Sequence, residues 1–224
     1  MKQAYWLVLL PLLAVQCHKD EPAPPTTFAS PELRALARFR PGTYWVYRDS
    51  ATAVLDSVWV TKLDSTLTEI NKVDRYRTEL ITTTVLSSQA ATAFSYLITN
   101  SCGGDTGNHP LCGAVVRSRV GSDPFGDAPR RADVLLHPLP AGQPVTQGLS
   151  GSILYLYRYP APLTLGGRAY ADVIRATNLY DESEGRATVT YYWAPGFGLV
   201  RQRLRRIPGG PHQTWTLVRQ RIVQ

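Results

Sequence analysis

The sequence predicts a mainly β fold: a single antiparallel β-barrel or strongly curved sheet of about ten strands, with one short N-terminal helix. Three observations carry this expectation. The 224 residues include 12 Tyr and 5 Trp within a 44% apolar fraction, and aromatic and β-branched side chains suit a pleated, half-buried surface. Long stretches alternate with period two and show no apolar stripe at helical spacing. Glycine- and proline-rich turns separate the strand-like runs in hairpin order. The 18% charged fraction is that of a globular chain, not a disordered one.

The first element is a short helix from Pro31 to Arg38. Ser30 is a good N-cap, Pro31 suits the first turn, Glu32 favours the positive end, and Leu33, Leu36 and Ala37 make the apolar side. Pro41-Gly42 breaks the chain before Thr43–Tyr47, a strong strand. From Val54 to Leu67 the chain alternates: Leu55, Ser57, Trp59 and Thr61 face one way, Val54, Asp56, Val58 and Val60 the other. Further strands are expected at Asp74–Leu86, Thr92–Thr99 and Gly113–Val120. Asp123-Pro124-Phe125-Gly126-Asp127 sits in a loop, and Ala132–Leu136 makes a short strand. The stretch from Pro138 to Pro144 reads as a linker, but neither side of it carries a core alone, so one domain is expected.

The last third is the clearest. Strands are expected at Ile153–Tyr157, Leu163–Leu165, Tyr170–Leu179, Thr188–Trp193, Leu199–Ile207 and Thr214–Val223, with turns at Gly166-Gly167 and Pro208-Gly209-Gly210-Pro211. Leu199-Val200-Arg201-Gln202-Arg203-Leu204 nearly repeats as Leu217-Val218-Arg219-Gln220-Arg221-Ile222. Two such segments joined by a Gly/Pro turn predict adjacent antiparallel strands of similar exposure. In a hairpin-linked barrel the inward side chains can leave a cavity for a small apolar ligand.

At the N-terminus, Lys2 precedes an apolar run from Ala4 to Val15 that only Pro11 interrupts. The run is too short to span a bilayer, which takes about 20 residues, and has the pattern of a secretory signal. The chain therefore divides into a signal peptide (1–16), a Pro-rich tether (17–29) and a β-rich domain (30–224). Leu12-Leu13-Ala14-Val15-Gln16-Cys17 resembles the lipobox of bacterial lipoproteins, in which the signal is cut before a cysteine that becomes acylated. Gln16 stands where a small residue is usual and Ala14 where leucine is commonest. The resemblance implies a lipidated Cys17, carrying palmitate-like acyl chains. The charged cluster His18-Lys19-Asp20-Glu21 is similar to the tether of Bacteroidota lipoproteins, and Pro22-Ala23-Pro24-Pro25 reads as an extended spacer. Together these imply export and lipid anchoring to the outer membrane, on its periplasmic or cell-surface face.

Cys102 and Cys112 then remain as an even pair flanking a turn-rich stretch, and in an oxidising compartment a disulfide is expected. Chain entropy gives it about 2.5–3 kcal/mol. Cys102, Asp105, His109 and Cys112 also have the chemistry of zinc ligands, but their spacing matches no common site. Asp105-Thr106-Gly107 is the tripeptide of aspartic proteases, yet no second copy exists to supply the paired carboxylate. No metal or cofactor is expected.

The formal charge is +7, and from Arg186 to the C-terminus there is no acidic residue. Arg201, Arg203, Arg205, Arg219 and Arg221 make a candidate surface for an anionic partner such as anionic lipid or lipopolysaccharide; nucleic acid is not expected. The structural explanation of the same residues is a solvated strand face on which arginine blunts an exposed edge.

Phe39-Arg40-Pro41-Gly42-Thr43-Tyr44-Trp45-Val46-Tyr47 is similar to the opening segment of uncharacterised Bacteroidota lipoproteins, and the stretches 165–174 and 192–200 look like their paired closing strands. The resemblance implies a lipocalin-like or lipoprotein-carrier-like fold and brings no catalytic residues. Nothing else in the chain outweighs its structural explanation. His137 and His212 lack nearby partners, Gly148-Leu149-Ser150-Gly151 is not a nucleophile elbow, and Asp181-Glu182-Ser183-Glu184-Gly185 is spaced as an acidic hairpin tip. The expected function is a non-enzymatic binding module for a lipid, a glycan or an envelope protein. A structural or assembly role without a small ligand is the alternative, and a hydrolase with a site built from distant residues a third reading.

Overall fold

The computed structural model describes residues 26–28, 31–69, 77–88, 93–102, 112–120, 131–136, 139–149, 152–182, 185–207 and 212–223. The signal segment, Cys17, the spacer to Pro25 and Ser30 lie outside these residues. So do the Asp105-Thr106-Gly107 tripeptide, His109, the 121–130 loop, His137, Ser150, the tip at Ser183-Glu184 and the 208–211 turn.

The elements are β1 (Thr26–Thr27), α1 (Pro31–Ala37), β2 (Tyr44–Asp49), β3 (Leu55–Glu69), β4 (Arg77–Ser87), β5 (Ala93–Cys102), β6 (Cys112–Val120) and β7 (Arg131–Leu136). They continue with β8 (Pro144–Leu149), β9 (Ser152–Arg158), β10 (Leu163–Leu165), β11 (Arg168–Tyr170), β12 (Ile174–Glu182), β13 (Gly185–Ala194), β14 (Gly198–Ile207) and β15 (Gln213–Arg221). All but β10 and β11 join one thirteen-stranded sheet, in the order β7-β6-β5-β4-β3-β2-β15-β14-β13-β12-β9-β8, with β1 added in parallel to β4. Every other pairing of named strands is antiparallel. The fold is mainly β, as expected, but no sheet closes into a barrel among the described residues: β7 and β8 are two separate edges.

The strands depart from the expected ones at three places. The linker read from Pro138 to Pro144 ends in β8, which pairs along its whole length with β9. Proline at the first residue of an edge strand forfeits no ladder bond, so Pro144 does not break it. The run from Tyr170 to Leu179 splits at Asp172, whose φ of +51° turns the chain; Arg158 pairs with its carboxylate at 2.9 Å. Thr26–Thr27, in the segment read as tether, pair with Arg77 and Thr78.

The sheet has two faces, and a different element covers each. α1 lies on one: Phe39, just past the helix, packs edge-on against Trp45 with ring centroids 5.0 Å apart, and Arg34 bonds Glu79 of β4. Gly198 makes this approach tight, because a Cβ there would stand 3.1 Å from the Phe39 ring. The small β10–β11 hairpin covers the other. Its Gly166 and Gly167 both have positive φ, as a two-residue primed turn requires, and a Cβ on Gly166 would meet Thr216 Cγ2 at 2.8 Å. Below, these are the helix face and the hairpin face. The main core gathers Phe39, Trp45, Tyr47, Val58, Val60 and Val85 with Leu165, Tyr170, Val173 and Tyr192. Two of its polar handles are satisfied by backbone carbonyls: Trp45 Nε1 donates to that of Phe197 at 2.7 Å and the Tyr47 hydroxyl to that of Leu199 at 2.8 Å.

Candidate functional site

On the helix face the alternation of every strand places apolar residues in line. In β4, Ile81, Thr83 and Val85 are fully buried and stand opposite Ile98, Tyr96 and Phe94 of β5. The row continues in register through Val116, Ser118 and Val120 of β6 to Val134 and Ala132 of β7. On the other arm Tyr191, Ala176 and Leu156 are buried in one cross-strand row that ends at Val145 of β8. One residue-period shift would turn this whole set to the opposite face, so the register keeps these mostly apolar positions on one side of the sheet.

Among the polar residues on this face, two stand out. Glu79 is buried, and its carboxylate accepts from Arg34 at 2.6 Å and from Ser65 at 2.9 Å, which pins α1 to the sheet. Beside it the face opens to solvent, since Leu67 stands opposite Glu79 and is exposed. Phe28, next to the β1–β4 pairing at the same end, is exposed as well.

The second group is Asn178 of β12. It follows Ile174 and Ala176 on the helix face, between Leu154 of β9 and Val189 of β13. It is 1% exposed, and among the described residues neither its amide nitrogen nor its amide oxygen has a hydrogen-bond partner. An unsatisfied amide in apolar surroundings costs about 1–3 kcal/mol. The sequence showed only a polar residue at an apolar position of the alternation; that it lacks a partner emerges from the packing.

The arginines lie on the hairpin face. Arg201, Arg203 and Arg205 alternate along β14, opposite Tyr192, Thr190 and Thr188 of β13. Strict alternation along β15 would send Arg219 and Arg221 to the helix face with Trp215 and Leu217. A bulge prevents this: Leu217 pairs with Tyr47 but Arg219 with the adjacent Val46, so Val218 is the extra residue. Arg219 and Arg221 thereby join the other three on one face. Arg48 of β2 belongs with them, because Arg201, Thr216 and Arg48 form one cross-strand row. Sequence reasoning missed Arg48, which lies far from the others in the chain.

Two expectations about this surface change. β14 and β15 are adjacent and antiparallel, as the repeat predicted, but their paired residues are 201–204 and 213–216. The two repeats therefore run end to end and draw the charge into a stripe. Both strands are also interior to the sheet, which removes edge protection as the reason for the arginines. Arg201 donates to Thr216 Oγ1 at 3.0 Å. Near it, burial pushes the Tyr170 hydroxyl above its usual pKa, against the opposing pull of Arg168 and Arg201.

Cys102 and Cys112 occupy directly opposed positions at the ends of β5 and β6. Directly opposed Cα atoms in an antiparallel pair are about 4.5–5.5 Å apart, within the span of a disulfide. Cys17 and the candidate zinc and protease residues Asp105 and His109 are outside the described residues. Among the described residues no three His, Cys, Asp or Glu side chains gather as metal ligands, and no helix is long and apolar enough to cross a membrane. Comparison with protein-family models, with curated proteins and with solved structures gives no match for this chain.

Proposed function

We propose that this chain is an exported, lipid-anchored bacterial envelope protein that binds an apolar, lipid-like ligand on the helix face of a strongly curved sheet and catalyses no reaction. The observation that carries this reading is the cross-strand register, which sets mostly apolar positions on one side of the sheet from β7 to β8. Chain length supports the curvature. The two edge strands are consecutive in sequence, and Ala141 in their connection is bridged to Arg158 of β9. The five residue steps from Leu136 to Ala141 reach about 18 Å at most, whereas twelve strands laid flat are about 50 Å wide. A sheet curled in this way is lipocalin-like or carrier-like in outline without closing into a barrel, and it turns an apolar face inward. Asn178 supplies an uncommitted, fully buried amide on that face, and the exposed Leu67 marks where it meets solvent.

The anchor and the disulfide complete the proposal. Cys17 carries the acyl chains that hold the domain at the outer membrane, and the Cys102–Cys112 bond, favoured by the opposed backbone positions, closes the β5–β6 hairpin. The free edges of β7 and β8 favour a second reading, in which an envelope protein adds a strand to the sheet.

Titration with an environment-sensitive acyl-chain probe tests the ligand reading. Saturable binding of one probe per chain, displaced by unlabelled phospholipid or fatty acid, is expected; unsaturable or absent binding would count against it. Growth with a labelled fatty acid tests the anchor: the wild type takes up label and Cys17→Ala does not. A wild type that stays unlabelled would make the protein simply secreted.

A further inference from the structure

We infer that the arginine stripe on the hairpin face is a docking surface for anionic lipid headgroups. It does not depend on the ligand reading of the helix face, because the two surfaces are on opposite sides of the sheet. The first support is chemical. Among the described residues, none of Arg48, Arg201, Arg203, Arg205, Arg219 and Arg221 has a carboxylate within ion-pairing distance, while Arg34, Lys62 and Arg158 each do. Six cations on neighbouring interior strands, unneutralised by any described carboxylate, repel one another and create a positive potential that an external anion relieves. The second support is the bulge at Val218. A strand that adds a residue to bring Arg219 and Arg221 round to this face spends a ladder bond on collecting charge there.

The kind of anion follows from what lies between the arginines. Leu55, opposite Arg48, is 52% exposed; Trp59, opposite Tyr44 in the row of Arg221, is 38% exposed; and Val218 at the bulge is 45% exposed. A soluble polyanion gains little from exposed leucine and valine. A bilayer surface uses both components: phosphate headgroups meet the guanidinium groups, and aliphatic and indole side chains enter the boundary between headgroups and acyl chains. From Arg205 to Arg221 the stripe follows β14 and then β15 for about 30 Å, which suits a planar array of headgroups better than a single phosphate.

The test is vesicle co-sedimentation with the full chain carrying Cys17→Ala, so that no acyl chain contributes. Vesicles of phosphatidylglycerol and phosphatidylcholine should retain the protein at low salt, and pure phosphatidylcholine should not. Each arginine at such a surface accounts for about a five-fold change in affinity, so the triple variant Arg203→Gln/Arg219→Gln/Arg221→Gln should bind about 100-fold more weakly, with an unchanged thermal melt. Trp59→Ala should weaken vesicle binding and leave retention on heparin unaltered. Undiminished vesicle binding by the triple variant, or equal binding to both vesicle types, would overturn the inference. If heparin is bound but anionic vesicles are not, the surface serves a soluble polyanion and the lipid assignment falls.

Discussion

Phe39→Ala will lower the stability of the folded chain by about 3–5 kcal/mol, the range for emptying a buried phenylalanine site. Phe39 is fully buried between the end of α1 and the sheet, with the Trp45 ring on one side and the Cα of Gly198 on the other. Gly198 has a φ of +78°, so its backbone is committed to the turn between β13 and β14 and cannot relax into the space. The cavity would therefore persist. In a domain of this size the loss lowers the thermal midpoint by roughly 10 °C. Trp59→Ala, at a position 38% exposed on the hairpin face, is the comparison and should cost clearly less, because solvent already reaches the site and no closed cavity is left. Equal effects of the two substitutions in urea unfolding would show that the helix segment does not pack as described.

Asn178→Leu is expected to act in the opposite direction, raising stability by about 1–2 kcal/mol, because it exchanges a buried amide without partners for an apolar side chain of similar volume. Its neighbours, Ala176, Leu156 and Tyr191, are buried, so leucine loses nothing to solvent. The same change should weaken binding of the acyl probe, since it removes a buried polar contact that no described residue uses. Gain of stability with loss of binding is the trade expected where a strained residue is kept for function. If Asn178→Leu instead destabilises the chain by more than about 1 kcal/mol, the amide has a partner in solution and is structural.

Much of the architecture can be read from the residues. Alternation from Val54 onward separates Val58 and Val60 from Leu55 and Trp59, and the structure buries the first pair and exposes the second. Gly166-Gly167 marks its turn because only glycine adopts both positive φ values without strain. What the residues conceal is non-local or depends on breaks in the period. Pairing of β2 with β15 joins residues about 170 positions apart, and no local preference encodes it. Val218, and likewise Thr61 between Val60 and Lys62, are extra residues at register shifts; to a period-two reading they look like members of a regular strand. The arginines of the last two strands are obvious as charge. Their role depends on the bulge that gathers them and on the interior position of β14 and β15, neither of which composition reveals. Asn178 was similarly visible as an odd residue in the row of Ile174 and Ala176, but a missing hydrogen bond exists only in three dimensions.

Native mass spectrometry of the full chain bearing Cys17→Ala, purified without detergent, tests the apolar-ligand reading most directly. A species heavier than the polypeptide by the mass of one lipid-like molecule is expected, removed by organic extraction and diminished in Asn178→Leu. A folded protein that flies only at its polypeptide mass, and acquires no added mass after incubation with phospholipid or fatty acid, would contradict it.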